Sequence, residues 1–213
     1  IDFNKARSLF WAVIRTGLRV THNPFKIWKA FKYACRAQRD FQKLTKGGHT
    51  TLEAFSLFER CPITKPRQHL EESIKDKQKI GVIGHPYVLY DGMMTHDLVD
   101  RLREYANVWT AEMVGTEEIR QEIRRIGVEF WTFEEEILGA ALHLIHARVI
   151  DKLVWVSCAE CGPASMVETL IRQACQHNNI PYLAIKVDEH TGVAGLITRL
   201  EAFIDTHGQM RPE

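Results

Sequence analysis

Between residues 8 and 44, apolar and aromatic side chains recur at helical spacing: Leu9, Phe10, Val13, Ile14 and Leu18, then Phe25, Ile27, Trp28, Phe31 and Ala34. Positions three and four apart share one face of an α-helix, so the pattern predicts two amphipathic helices. The break falls at Thr21-His22-Asn23-Pro24, where Asn23 is a natural N-cap and Pro24 suits the first helical turn. A further helix is predicted over Thr51–Glu59. Pro62 and Pro66 then impose an irregular stretch, and residues 71–77 read as a short polar helix.

From residue 79 the rhythm changes. Lys79-Ile80-Gly81-Val82-Ile83-Gly84 is a short apolar run ending in glycine, and residues 108–114, 153–157 and 182–187 form comparable runs. Between and after them, helical patterns cover residues 93–105, 116–126, 132–147, 164–176 and 194–204. Parallel strands need crossover connections, and their two faces must both be covered. The alternation therefore specifies an α/β fold: an open, mostly parallel, Rossmann-like sheet of about four strands with flanking helices, preceded by a helical N-terminal segment. The expected organisation is a basic helical segment over residues 1–78, an α/β domain over 79–208 and a tail at 209–213.

Composition narrows the class. At 213 residues, 45% hydrophobic and 26% charged, the chain suits one compact domain with an appendage. No run approaches the roughly 18 apolar residues of a membrane span, and the first residues lack the blocks of a signal peptide, which points to a cytoplasmic protein without a membrane partner. Five cysteines, an odd number, argue for local thiol chemistry in a reducing compartment rather than a disulfide framework. The net charge of +1 conceals a division: residues 1–78 hold 16 Lys and Arg against 7 Asp and Glu, and residues 79–213 hold 12 against 20. The basic charges are spread through helical repeats without a nucleic-acid motif. They read as a surface meeting an acidic one rather than nucleic acid.

In open parallel sheets ligands bind beyond the carboxyl ends of the strands. Three loops should meet there: residues 84–92, with His85 and Tyr87 beside Gly84; residues 158–163, with Cys158, Cys161 and Gly162; and residues 188–192, with Asp188, Glu189 and His190. Thiolates are soft ligands for iron–sulfur clusters or zinc, and a helix start after a strand favours the thiolate. Cys158 and Cys161 are thus ligand or nucleophile candidates, against the alternative of a small buried residue at a strand end. The Asp188-Glu189-His190 cluster suits a metal, proton transfer or a helix cap, and with Cys161 leaves a zinc hydrolase open. His85 and Tyr87 suit substrate or cofactor contact, or a tight turn.

Other signals carry little weight. The glycines at 81 and 84 lack the third member of a dinucleotide fingerprint, and no phosphate loop exists, so the chain should not itself hydrolyse ATP. Glu134-Glu135-Glu136 reads as the solvated first turn of a helix. His143 and His146, three apart with no evident acidic partner, read as structural.

At the same loops the chain resembles a known family. Its residues 79–91, the stretch Cys161-Gly-Pro-Ala-Ser-Met-Val167, and residues 188–203 look like the C-terminal part of the acyl-CoA dehydratase activase-related proteins. These are similar to the D-component (beta subunit) of 2-hydroxyacyl-CoA dehydratases and to the double-cubane-cluster proteins. The resemblance implies an oxygen-sensitive, anaerobic iron–sulfur protein, of 4Fe-4S or double-cubane type, that receives electrons from an ATP-driven activase and possesses an acyl-CoA substrate in its dehydratase members. Cys161 matches the family's ligating cysteine, and Asp188, Glu189, His190 and Arg199 match motif positions. The cysteine motifs of the family's preceding domain are missing here, which implies a fragment of a longer protein. Cys61 is a candidate substitute ligand. One or two cysteines cannot hold a four-iron cluster in the usual way, so the isolated chain is expected to be cluster-free, the cluster lying against the missing upstream domain. His85, Tyr87 and the Asp188 loop would surround it. The alternatives are a non-catalytic docking or electron-transfer scaffold, and a zinc enzyme using Cys158, Cys161 and His190.

Overall fold

The computed structural model describes residues 6–59, 77–188 and 190–206. The chain divides into two compact units, Ile1–Leu44 and Thr45–Glu213. In the first, α1 (Ala6–Val20) is followed by α2 (Pro24–Lys46), which continues past the end of the unit. The Asn23 carboxamide oxygen accepts the amides of Phe25 and Lys26 at 3.0 and 3.2 Å, so the expected cap is made. Gly17 lets the two helices close: a Cβ there would lie 2.7 Å from the buried Ile27 side chain.

The second unit opens with α3 (Thr51–Glu59). The chain then builds β1 (Lys79–Gly84), α4 (Pro86–Leu89), α5 (Gly92–Thr95), α6 (Leu98–Tyr105), β2 (Asn107–Trp109), α7 (Thr116–Ile126) and α8 (Thr132–His146). It ends with β3 (Lys152–Cys158), α9 (Gly162–His177), β4 (Tyr182–Val187) and α10 (Val193–Asp205). The strands form one parallel sheet in the order β2-β1-β3-β4, with Gly84 opposite Val156 and Cys158 opposite Val187.

Strand alternation divides the core. Ile83, Leu153 and Trp155 face Leu138, Ile145, Val167 and Ile171 of α8 and α9. Ile80, Val82, Val154, Val156 and Ile185 face Leu98, Leu102, Leu196 and Leu200 of α6 and α10. The result is the expected α/β architecture, a sheet covered by helices on both faces. No helix among the described residues is long and apolar enough to cross a membrane.

Two elements differ from the sequence pattern. Of the run at 108–114 only Val108 and Trp109 pair with β1, and the chain then winds into a 3₁₀ turn in which Met113 and Val114 donate to the carbonyls of Thr110 and Ala111. Its apolar residues are buried by packing, with Ala111 and Val114 joining the α8/α9 core, so hydrophobicity alone did not mean strand. The helix expected over 93–105 is interrupted where His96 and Asp97 take left-handed φ values of 52° and 57°. Asp91 caps the short α5 before the break by accepting the amides of Met93 and Met94. The helix expected at 71–77 lies, apart from Lys77, outside the described residues, as do Pro62, Pro66 and Cys61.

Candidate functional site

After β1 the chain passes to the α6/α10 face, and after β3 to the α8/α9 face. These neighbouring strands therefore part at their carboxyl ends, where parallel sheets form their ligand crevices. His85 follows β1 and Cys158 ends β3.

His85 occupies the N-cap position of α4, with Pro86 opening the helix and the His85 carbonyl accepting from Val88 and Leu89. Its ring is buried, and Nε2 donates to Glu134 Oε1 at 3.2 Å. Nδ1 is buried and finds no hydrogen-bond partner among the described residues. The Tyr87 ring packs over the imidazole, the centroids 5.2 Å apart and the planes inclined by 30°. Burial, the Cys161 and Cys158 sulfurs and Glu134 together raise the pKa of the Tyr87 phenol.

Cys158 and Cys161 bracket a tight turn closed by Cys161 N–H donating to the Cys158 carbonyl at 3.2 Å. Ala159 N–H donates across to the carbonyl of Val187, fixing the turn to β4. Cys161 is the N-cap of α9; its thiol makes no capping bond, and its carbonyl accepts from the amide and hydroxyl of Ser165. Both thiols are half-buried and unpaired by disulfide, Cys158 leaning on the α6/α10 core and Cys161 on the α8/α9 core. They therefore straddle the edge of the sheet beside Tyr87.

After β4, Asp188 Oδ1 accepts from His190 N–H and from the Thr191 hydroxyl, which in turn accepts from Asp188 N–H. These donors, Thr191 first, hold the Asp188 carboxyl below its ordinary range. Asp188 thus organises its own loop, and Glu189 lies outside the described residues. Arg199 reaches back from α10 to donate to the Ala184 carbonyl of β4 at 2.7 Å. Cys175 is buried within α9.

A family model described as the CoA enzyme activase uncharacterised domain matches residues 1–114. The chain belongs to this activase-related family. The match takes in β1, His85 and Tyr87 and ends before Cys158, Cys161 and the Asp188 loop. No curated protein and no solved structure matches the activase-related chain.

Its sequence concealed one member of the site. Glu134 is not part of a solvated turn: it is 7% exposed and paired with a histidine 49 residues away. Its neighbour Glu135 does serve the helix start, accepting the Phe130 amide. Local sequence contains no signal that separates these two glutamates, because only the sheet brings β1 to the start of α8. His146 also has the acidic partner the sequence did not reveal, Glu122 Oε2 at 2.9 Å from Nδ1.

Cys158 and Cys161, at the two ends of one turn, are two soft donors, half the number a tetrathiolate site needs. Among the described residues no three His, Cys, Asp or Glu side chains converge in a metal-binding group, so Cys158, Cys161 and His190 do not assemble one here.

Proposed function

We propose that the chain is the C-terminal, Rossmann-like part of an iron–sulfur-dependent redox or dehydratase-like component, akin to the D-component and double-cubane proteins, working with an ATP-driven activase. The observation that carries this reading is the placement of Cys158 and Cys161 at the parting of β1 and β3, beside His85 and Tyr87. Cys161 and Cys158 would hold one side of a cluster whose other ligands come from an upstream domain. A cluster bound there would supply one-electron chemistry.

The chain's own contribution is then environmental. Backbone amides at the start of α9 and the Tyr87 hydroxyl place hydrogen-bond donors beside the sulfurs, the kind of contact that tunes a cluster's potential. The His85–Glu134 pair fixes the imidazole behind Tyr87. The Asp188 and His190 loop borders the same sheet edge, and an acyl-CoA is the substrate class the resemblance suggests.

A docking role is the second reading, favoured by large apolar side chains left exposed where loops and helices begin: Tyr87, Met93, Trp131, Phe133 and Met166. Anaerobic reconstitution with iron and sulfide, of this chain and of a version extended upstream, separates the readings. Stoichiometric iron only in the extended protein, lost on Cys161→Ala, supports the shared cluster. Iron in neither form, with activase binding retained, leaves the docking role; tightly bound zinc in the short chain overturns both.

A further inference from the structure

We propose that Cys158 and Cys161 are also a redox-active dithiol, closing to an intrachain disulfide by exchange with a small-molecule disulfide. The inference rests on the turn alone and holds whether or not a cluster binds.

The hydrogen bond from Cys161 N–H to the Cys158 carbonyl makes residues 158–161 a β-turn. Such a turn brings its first and last Cα atoms within about 7 Å, which overlaps the separation a disulfide spans. The sulfurs begin on opposite sides of the sheet edge, so closure requires both side chains to rotate over the turn. The intervening Ala159 and Glu160 are exposed, and a Cβ built on Gly162 meets nothing within 4 Å, so the surroundings leave room for that rotation. Both cysteines are half-buried and hence reachable by a small reagent, whereas Cys175 is sealed in the core. A Cys-x-x-Cys beside a βαβ crossover is also a sequence context that reads as a redox dithiol.

The chemistry balances without any further reagent. One protein thiolate attacks a sulfur of the small disulfide, forming a mixed disulfide and expelling one thiolate. The second protein sulfur then attacks the first, releasing the other half of the reagent as a thiolate. Two protein thiols are oxidised to one disulfide, one small disulfide is reduced to two thiols, and the two protein protons pass to the leaving thiolates.

The test uses the metal-free chain, equilibrated anaerobically in buffers of graded oxidised and reduced glutathione, then acid-quenched, alkylated and mapped by mass spectrometry. The expected result is the concerted loss of two thiols, with a Cys158–Cys161 link and no bound glutathione. Cys158→Ser and Cys161→Ser should each abolish the link and leave the remaining cysteine as a glutathione mixed disulfide. Independent glutathionylation of the two wild-type cysteines, loss of thiols elsewhere first, or no loss at all would overturn the proposal. Iron loading of the extended protein is a separate readout: a disulfide without iron sinks only the cluster reading, and iron without a disulfide sinks only this one.

Discussion

Gly84 lies opposite Val156 in the ladder between β1 and β3, and a Cβ on Gly84 would collide with the Val156 carbonyl oxygen. The glycine before His85 therefore serves the close approach of two strands. Because the obstruction is backbone, Gly84→Ala should destabilise the chain by about 3 kcal/mol. Gly162→Ala, where the space is open, should stay within about 0.5 kcal/mol of wild type. Urea midpoints of the two variants check the contrast.

Glu134→Ala removes the acceptor of the buried His85 Nε2 and should cost about 1–3 kcal/mol. Glu134→Gln keeps an acceptor oxygen and should lose less than half as much. A double-mutant cycle with His85→Ala measures the coupling, and a value near zero would refute the pairing.

Lys152 ties the last turn of α10 to β3: its buried Nζ donates to the carbonyls of Phe203, Ile204 and Thr206 at 2.7–2.8 Å. Lys152→Met keeps the length of the side chain and removes all three donors. It should cost about 2–3 kcal/mol, with amide exchange accelerating first in residues 200–206.

Burial pushes the Cys175 thiol up to about 12. At pH 8 in native protein, Cys175 should resist iodoacetamide while Cys158 and Cys161 react. Since the folded state holds this proton more tightly than the unfolded chain, the stability it brings is complete below the unfolded thiol value near 8.5 and is lost as pH rises toward 12. Cys175→Ala should flatten that decline in a series of denaturation curves, and an unchanged slope would count against the burial argument.

The elements most legible in sequence were those whose burial follows one period. β1 and β4 lie where their apolar runs predicted, and β1 shows why, since a parallel strand buried on both faces reads as a continuous hydrophobic stretch. Asn23 and Pro24 announced α2 through local chemistry alone. The gathering of His85, Cys158 and Cys161 at one edge was legible too, since it follows from topology. What escaped were contacts set by tertiary placement: the end of β2, where β1 pairs with only three residues, and the burial of Glu134 beneath an edge that local periodicity does not describe.

The order of the strands also imposes a timetable on synthesis. β1 leaves the ribosome long before its central partner β3, and 72 residues separate Lys79 from Asp151, which accepts its amide. Until β3 emerges, β1 has only the three-residue β2 beside it and His85 has no cysteine pair to face. The thiols thus arrive after both His85 and Glu134, and a nascent chain halted before residue 158 carries that pair without either cysteine.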